Sequence, residues 1–129
     1  MNSEKTNELV RDVIVENNLT QCKHAETMRR IVAELTARHH IFFKSIANKF
    51  QNEHVNINEK LNIIFNELFA DNAYNWGRIV TIIAFASYIA QYYNKDDIAM
   101  FITDYINKHM DDWICNNGGW DGFVNYFCN

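Results

Sequence analysis

The feature that most constrains this chain is a stretch without charge. Between Arg78 and Lys95 no charged residue occurs, and Ile79 to Ala90 is almost wholly apolar. Crossing a bilayer takes about twenty such residues, and a run nearer a dozen belongs to a buried core helix. Here Gln91, Tyr92, Tyr93 and Asn94 end the run at once. A helix apolar on every side has to be surrounded by other helices.

The rest of the chain supplies them. Met28, Ile31, Val32 and Leu35 recur at i, i+3, i+4, i+7. The same spacing returns in Leu61, Ile64, Phe65, Leu68, Phe69 and again in Ile98, Phe101, Ile102, Tyr105, Ile106. Each describes a helix with one apolar stripe turned to a core. A weaker helix is expected over about Asn7 to Asn17, with Leu9, Val10, Val13 and Ile14 on one side. Another covers about Ile41 to Phe50, with Phe42, Phe43, Ile46 and Phe50 as contacts.

The breaks are short and polar. Asn17-Asn18 to Lys23 separates the first two helices, and Gln51 to Asn58 is the longest loop. Asn58 and Asn75 are candidate N-caps, because an asparagine oxygen can accept from a free backbone N–H. Asn94 to Asp97 forms the next turn, with an aspartate suited to a helix start. Gly118-Gly119 interrupts the last part, leaving short helices at Asp112–Asn117 and Trp120–Phe127. The chain contains no proline, where about 5% is usual, so nothing forces a helix break. The expected fold class is all-α, about seven to eight helices around a central apolar one.

At 129 residues the chain fits a single domain, 1–129, and its 48% hydrophobic content excludes disorder. The net charge of −4, with no dense basic cluster, excludes a nucleic-acid footprint; Met28-Arg29-Arg30 reads as an ordinary helix face. Cys22, Cys115 and Cys128 lack C-x-x-C spacing and read as buried or idle thiols rather than a disulfide framework or metal site. The polar start Met1-Asn2-Ser3-Glu4-Lys5 is neither a signal peptide nor a myristoylation site. No integral membrane span is expected.

Catalysis finds no support. There is no glycine-rich phosphate loop, nucleophile elbow or H-x-x-x-H pair. His24, His39, His40, His54 and His109 are scattered and read as solvated or packing side chains. No enzyme activity, metal or cofactor is expected.

The informative residue is Arg78. A cation at a helix N-terminus opposes the macrodipole, so local stability does not explain it. Its planar fork suits a bidentate carboxylate. That carboxylate is either internal, Glu67 or Asp71, or belongs to a partner. Gly77, lacking a Cβ, admits close approach of another backbone. Trp76, Trp113 and Trp120 read as core seals near helix ends rather than an aromatic binding box.

Asn75-Trp76-Gly77-Arg78, followed by Trp113-Ile114 with Gly118-Gly119-Trp120, resembles the Bcl-2 family of apoptosis regulators. The first block looks like that family's first homology motif and the second like its second. Glu8-Leu9-Val10-Arg11-Asp12 is similar to the fourth. Met28-x-x-Ile31-x-x-x-Leu35 aligns with the third, the segment that members insert into one another's grooves. That motif normally has a small residue followed by aspartate, where this chain has Val32-Ala33. The departure argues against a killer and for a survival-promoting member.

The resemblance implies a Bcl-2-like bundle with a surface hydrophobic groove, formed by the second to fifth helices and closed by the last. It would capture the amphipathic death-motif (BH3) helix of pro-apoptotic partners such as Bim, Bid, Bak and Bax. Position-wise, the walls would include Leu35, Arg38, His39, Phe43, Ile46, Ile64, Leu68, Thr81, Phe85 and Phe127. Asn75, Gly77 and Arg78 would fix register, with Arg78 holding the partner's aspartate. No apolar anchor precedes Asn129 and the first interhelical link is brief, so a short, tailless viral member is expected. Such a protein would act in the host cytoplasm and reach the mitochondrial outer membrane through its partners. Self-association into a homodimer stays open. Two other readings remain: a pore-forming effector using the central helical hairpin, and a Bcl-2-like scaffold for innate-immune signalling proteins.

Overall fold

A computed structural model describes residues 2–15, 22–51, 56–91, 93 and 95–128 and places eight helices and no strand among them. They are α1 Asn2–Ile14, α2 Lys23–Arg38, α3 His40–Gln51, α4 Ile57–Leu68, α5 Trp76–Ala90, α6 Lys95–His109, α7 Asp111–Asn116 and α8 Gly119–Tyr126.

The charge-free run forms α5, at the centre. Asn75 caps it, its side-chain oxygen accepting the Arg78 N–H at 2.8 Å. Every residue of α5 is buried except Gly77, Arg78, Thr81 and Ser87. Helices α1, α2, α3 and α6 pack directly against it, and α1 also lies along α6. The stripe of α2 faces inward, with Met28, Ile31 and Val32 buried. Helix α2 is therefore part of the core wall. None of the described helices is long and apolar enough to cross a membrane.

Several boundaries differ from the sequence reading, each for a tertiary or capping reason. Helix α1 begins at Asn2 rather than Asn7, and the expected end at Asn17 lies outside the described residues. Its polar start is held from a distance: the Trp120 indole N–H donates to Thr6 Oγ1 at 2.9 Å, and Thr6 is fully buried. Helix α4 is capped by Asn56 rather than Asn58. The Asn56 oxygen accepts from the N–H groups of Asn58 and Glu59, which starts the helix two residues earlier. The final two short helices each begin and end one residue sooner than expected.

Arg29 is not part of an ordinary exposed face. Its guanidinium meets the fully buried carboxylate of Asp12 at 2.8 Å, joining α2 to α1. The cysteines are free, and none is fully buried. Cys22 caps α2 through its sulfur, while Cys115 and Cys128 are exposed.

Candidate functional site

Two adjoining concavities lie where α2, α3, α4 and the amino-terminal half of α5 meet. The first, about 350 Å³, is lined by Phe42, Phe43 and Ile46 of α3, Ile64, Phe65, Glu67 and Leu68 of α4, and Thr81, Ile82 and Phe85 of α5. The second, about 340 Å³, is lined by Leu35, Arg38, His39, Leu68, Asn75, Gly77, Arg78 and Thr81. Leu68 and Thr81 line both, so the two form one trough with an apolar end and a polar end.

The trough exists because α3 and α4 are propped off the core by side chains. Phe43 is buried, its ring 5.2 Å from Phe85 and 5.8 Å from Tyr88. On α4, Phe65 stands edge-on to Tyr105 at 5.3 Å and stacks near Phe101. These bulky contacts keep the two backbones apart. Between them Phe42 is 62% exposed and Leu68 38%. Helix α5 turns three of its four unburied positions, Gly77, Arg78 and Thr81, to the same side, because Gly77 and Arg78 lie four and three residues before Thr81. The Thr81 hydroxyl donates to the Gly77 carbonyl at 2.7 Å, so its polarity is already satisfied.

The polar end is organised around Arg78. Its Nη1 donates to Asp71 Oδ1 at 2.8 Å and to the Ala73 carbonyl at 2.7 Å, and Nη2 donates to Asp71 Oδ2 at 3.2 Å. Of the two internal carboxylates, Asp71 and not Glu67 holds this bidentate contact. The hydrogen bond from Arg78 pulls the Asp71 carboxyl below the ordinary carboxylate range, and the same contact raises the Arg78 guanidinium. A Cβ built on Gly77 would meet only the Asn75 side chain, at 3.3 Å. Among the described residues no backbone takes up the close approach that Gly77 permits.

Twelve of the thirteen residues expected at the site line the trough: Leu35, Arg38, His39, Phe43, Ile46, Ile64, Leu68, Asn75, Gly77, Arg78, Thr81 and Phe85. Phe127 does not. It ends α8, its ring 5.3 Å from Phe123, and its carbonyl accepts from Arg30 at 2.7 Å. Helix α8 is thereby tied to α2 and contributes nothing to either lining. Phe42, Phe65, Glu67 and Ile82 line the trough without having been picked as site residues. Phe42 carried a usable signal. Adjacent residues point about 100° apart on a helix, so Phe42 and Phe43 cannot both face the core.

The three tryptophans lie elsewhere. Trp76 stands 5.0 Å from Trp113, 5.4 Å from Trp120 and 5.6 Å from Phe123, closing the core beneath α7 and α8. The histidines take separate partners: His24 bonds to Asp121 at 2.6 Å, His40 meets Tyr88 edge-on, and His109 lies 4.5 Å from Tyr105. His54 lies outside the described residues. Among the described residues no group of His, Cys, Asp and Glu converges to hold a metal.

A family model for Bcl-2 apoptosis regulator proteins matches residues 28–120. Apoptosis regulator Bcl-2 of the dog, Canis lupus familiaris, is 31% identical over 108 residues, covering 78% of this chain and 45% of that protein. Anti-apoptotic protein NR13 of the quail Coturnix japonica is 30% identical over 110 residues, covering 80% of this chain and 62% of its own length. The chain thus spans about half the length of the curated relatives it matches. The crystal structure of the zebrafish pro-survival protein NRZ, in complex with Bad BH3, aligns with a TM-score of 0.85 at 30% identity. That alignment covers 97% of this chain and 93% of that one.

Proposed function

The chain belongs to the Bcl-2 family, and from that premise we propose that it is a survival-promoting member that captures the BH3 helix of pro-apoptotic relatives in the trough. The observation that carries the reading is that the two concavities share Leu68 and Thr81, which sets an apolar lining beside a cationic one. A BH3 ligand folding into an amphipathic helix presents apolar anchors at i, i+3/i+4 and i+7. Phe42, Ile46, Ile64 and Phe85 offer them an apolar bed. Arg78 then receives the ligand's aspartate, and Gly77, lacking a Cβ, admits its backbone. An exposed apolar surface of this kind has a purpose on a stable protein.

The NRZ:Bad BH3 complex supports the ligand class, and the anti-apoptotic relatives support the direction of the effect. Bim, Bid, Bak and Bax are the partners proposed. Sequestering them keeps pore-formers inactive, and the protein meets the mitochondrial outer membrane through those it binds. A viral origin, expected above from brevity, is not among the features that support this reading.

Titration of BH3 peptides against wild type and Arg78→Ala tests it. The wild type should bind, and the variant should bind more weakly and with less dependence on salt, because Arg78 lies at the rim and gives up an internal partner to bind. Absence of binding by every peptide would refute the reading.

A further inference from the structure

Arg78 is not waiting unoccupied. Three of the five N–H donors of its guanidinium are engaged within the chain, two by the Asp71 carboxylate and one by the Ala73 carbonyl. Asp71 is itself fixed in place. Its Oδ1 accepts the Ala73 N–H at 3.0 Å, and the turn it opens passes through Asn72 at φ 56°, a left-handed conformation that asparagine tolerates. The turn between α4 and α5 thus holds a carboxylate over the fork of Arg78 in the bidentate geometry that a ligand carboxylate would need. Asp71 is 55% exposed and Arg78 32%, so the pair sits at the rim, where it can open without burying either charge.

We infer that Asp71 is a built-in competitor for Arg78, a resident carboxylate that a ligand's aspartate has to displace. The inference rests on the groove reading above and adds a specificity element to it. A ligand whose anchors fill the apolar end but which lacks the aspartate leaves the Asp71–Arg78 pair closed and gains nothing at the polar end. A ligand with the aspartate exchanges one carboxylate for another, so its advantage is only the difference between the two contacts. Asp71 therefore compresses the affinity range across ligands and makes discrimination depend more on the apolar anchors.

The test is a two-by-two titration of wild type and Asp71→Asn with an aspartate-bearing BH3 peptide and its aspartate-to-asparagine analogue. Removing the competitor should tighten the aspartate peptide about two- to fivefold, the scale of an exposed ion pair, and leave the analogue unchanged. No gain, a loss, or an equal gain for both peptides would overturn the inference while leaving the groove intact. Absence of binding in all four combinations would refute the groove reading and the inference with it. A measurement on the free protein stands apart from ligands. The Asp71 carboxyl, followed by carbon NMR, should titrate below the ordinary range in wild type and return towards it in Arg78→Ala. An ordinary titration in the wild type would overturn the competition even if the peptides bind.

Discussion

Two aromatic-rich regions of this molecule use the same kind of side chain to opposite ends. Beneath α7 and α8, Trp76, Trp113, Trp120 and Phe123 stand ring against ring at 5.0 to 5.6 Å. Trp76, Trp120 and Phe123 are buried, and Trp113 is partly so. The chain closes over them tightly. A Cβ on Gly122 would overlap the Asn117 carbonyl oxygen, and the turn into α8 runs through Gly118 and Gly119 at positive φ. Along α3 and α4 the rings of Phe43 and Phe65 instead act as spacers, Phe43 against Phe85 of α5 and Phe65 against Tyr105 of α6, and Phe42 is left exposed. Aromatic content alone therefore does not locate a binding site. What separates seal from site is whether the backbone can close behind the rings, and small residues allow this at only one of the two places.

On the proposed reading, stability lies at one end of the molecule and recognition at the other. Trp76→Ala should cost about 3–5 kcal/mol in denaturant unfolding, the range for an aromatic deleted from a packed core. If the loss stays below about 1 kcal/mol, the tryptophan cluster is not the seal described. Arg29→Met removes the guanidinium that meets the buried carboxylate of Asp12 and should cost about 1–3 kcal/mol by the same measurement, with ligand binding by the folded fraction unchanged. Phe42→Ala should reverse the balance. Its unfolding free energy should move within about 0.5 kcal/mol, as for a surface position, while BH3-peptide affinity falls by at least about 1 kcal/mol. A stability loss without a binding loss would place Phe42 with the seal. The smallest effect concerns pH. The Asp71 carboxyl is depressed by Arg78, so any stability from the pair is present above the ordinary aspartate value and fades as pH falls through the lowered one. Unfolding midpoints of wild type and Arg78→Ala should then nearly coincide at neutral pH, the contact being exposed, and coincide fully in strong acid.

Much of this was legible in the sequence, and the misses share a cause. The central helix announced itself by twelve nearly unbroken apolar residues, Ile79 to Ala90, and the Asn75 cap by its place before them. The amphipathic stripes gave α2, α4 and α6 because burial on one face imposes helical spacing. Properties set by pairing across distant segments stayed hidden. Nothing near Asp12 marks it for burial; Arg29, brought alongside by the α1–α2 packing, makes that tolerable. The early start of α1 depends on Trp120 reaching Thr6. Arg78 was recognisable as a carboxylate holder, yet only the turn at Asn72 selects Asp71 over Glu67 as its internal partner. Phe127 was expected in the trough by resemblance alone; it lines neither concavity, and its carbonyl accepts from Arg30 of α2.

The most direct test maps a bound ligand onto the molecule. Backbone amide shifts should be followed by NMR while a BH3 peptide is titrated into the isotope-labelled full chain. The largest changes should fall on Phe42, Ile46, Ile64, Leu68, Gly77, Arg78 and Thr81, with the amides of α7 and α8 little moved. Changes centred on Trp113, Trp120 and Phe123, or none at saturating peptide, would contradict it.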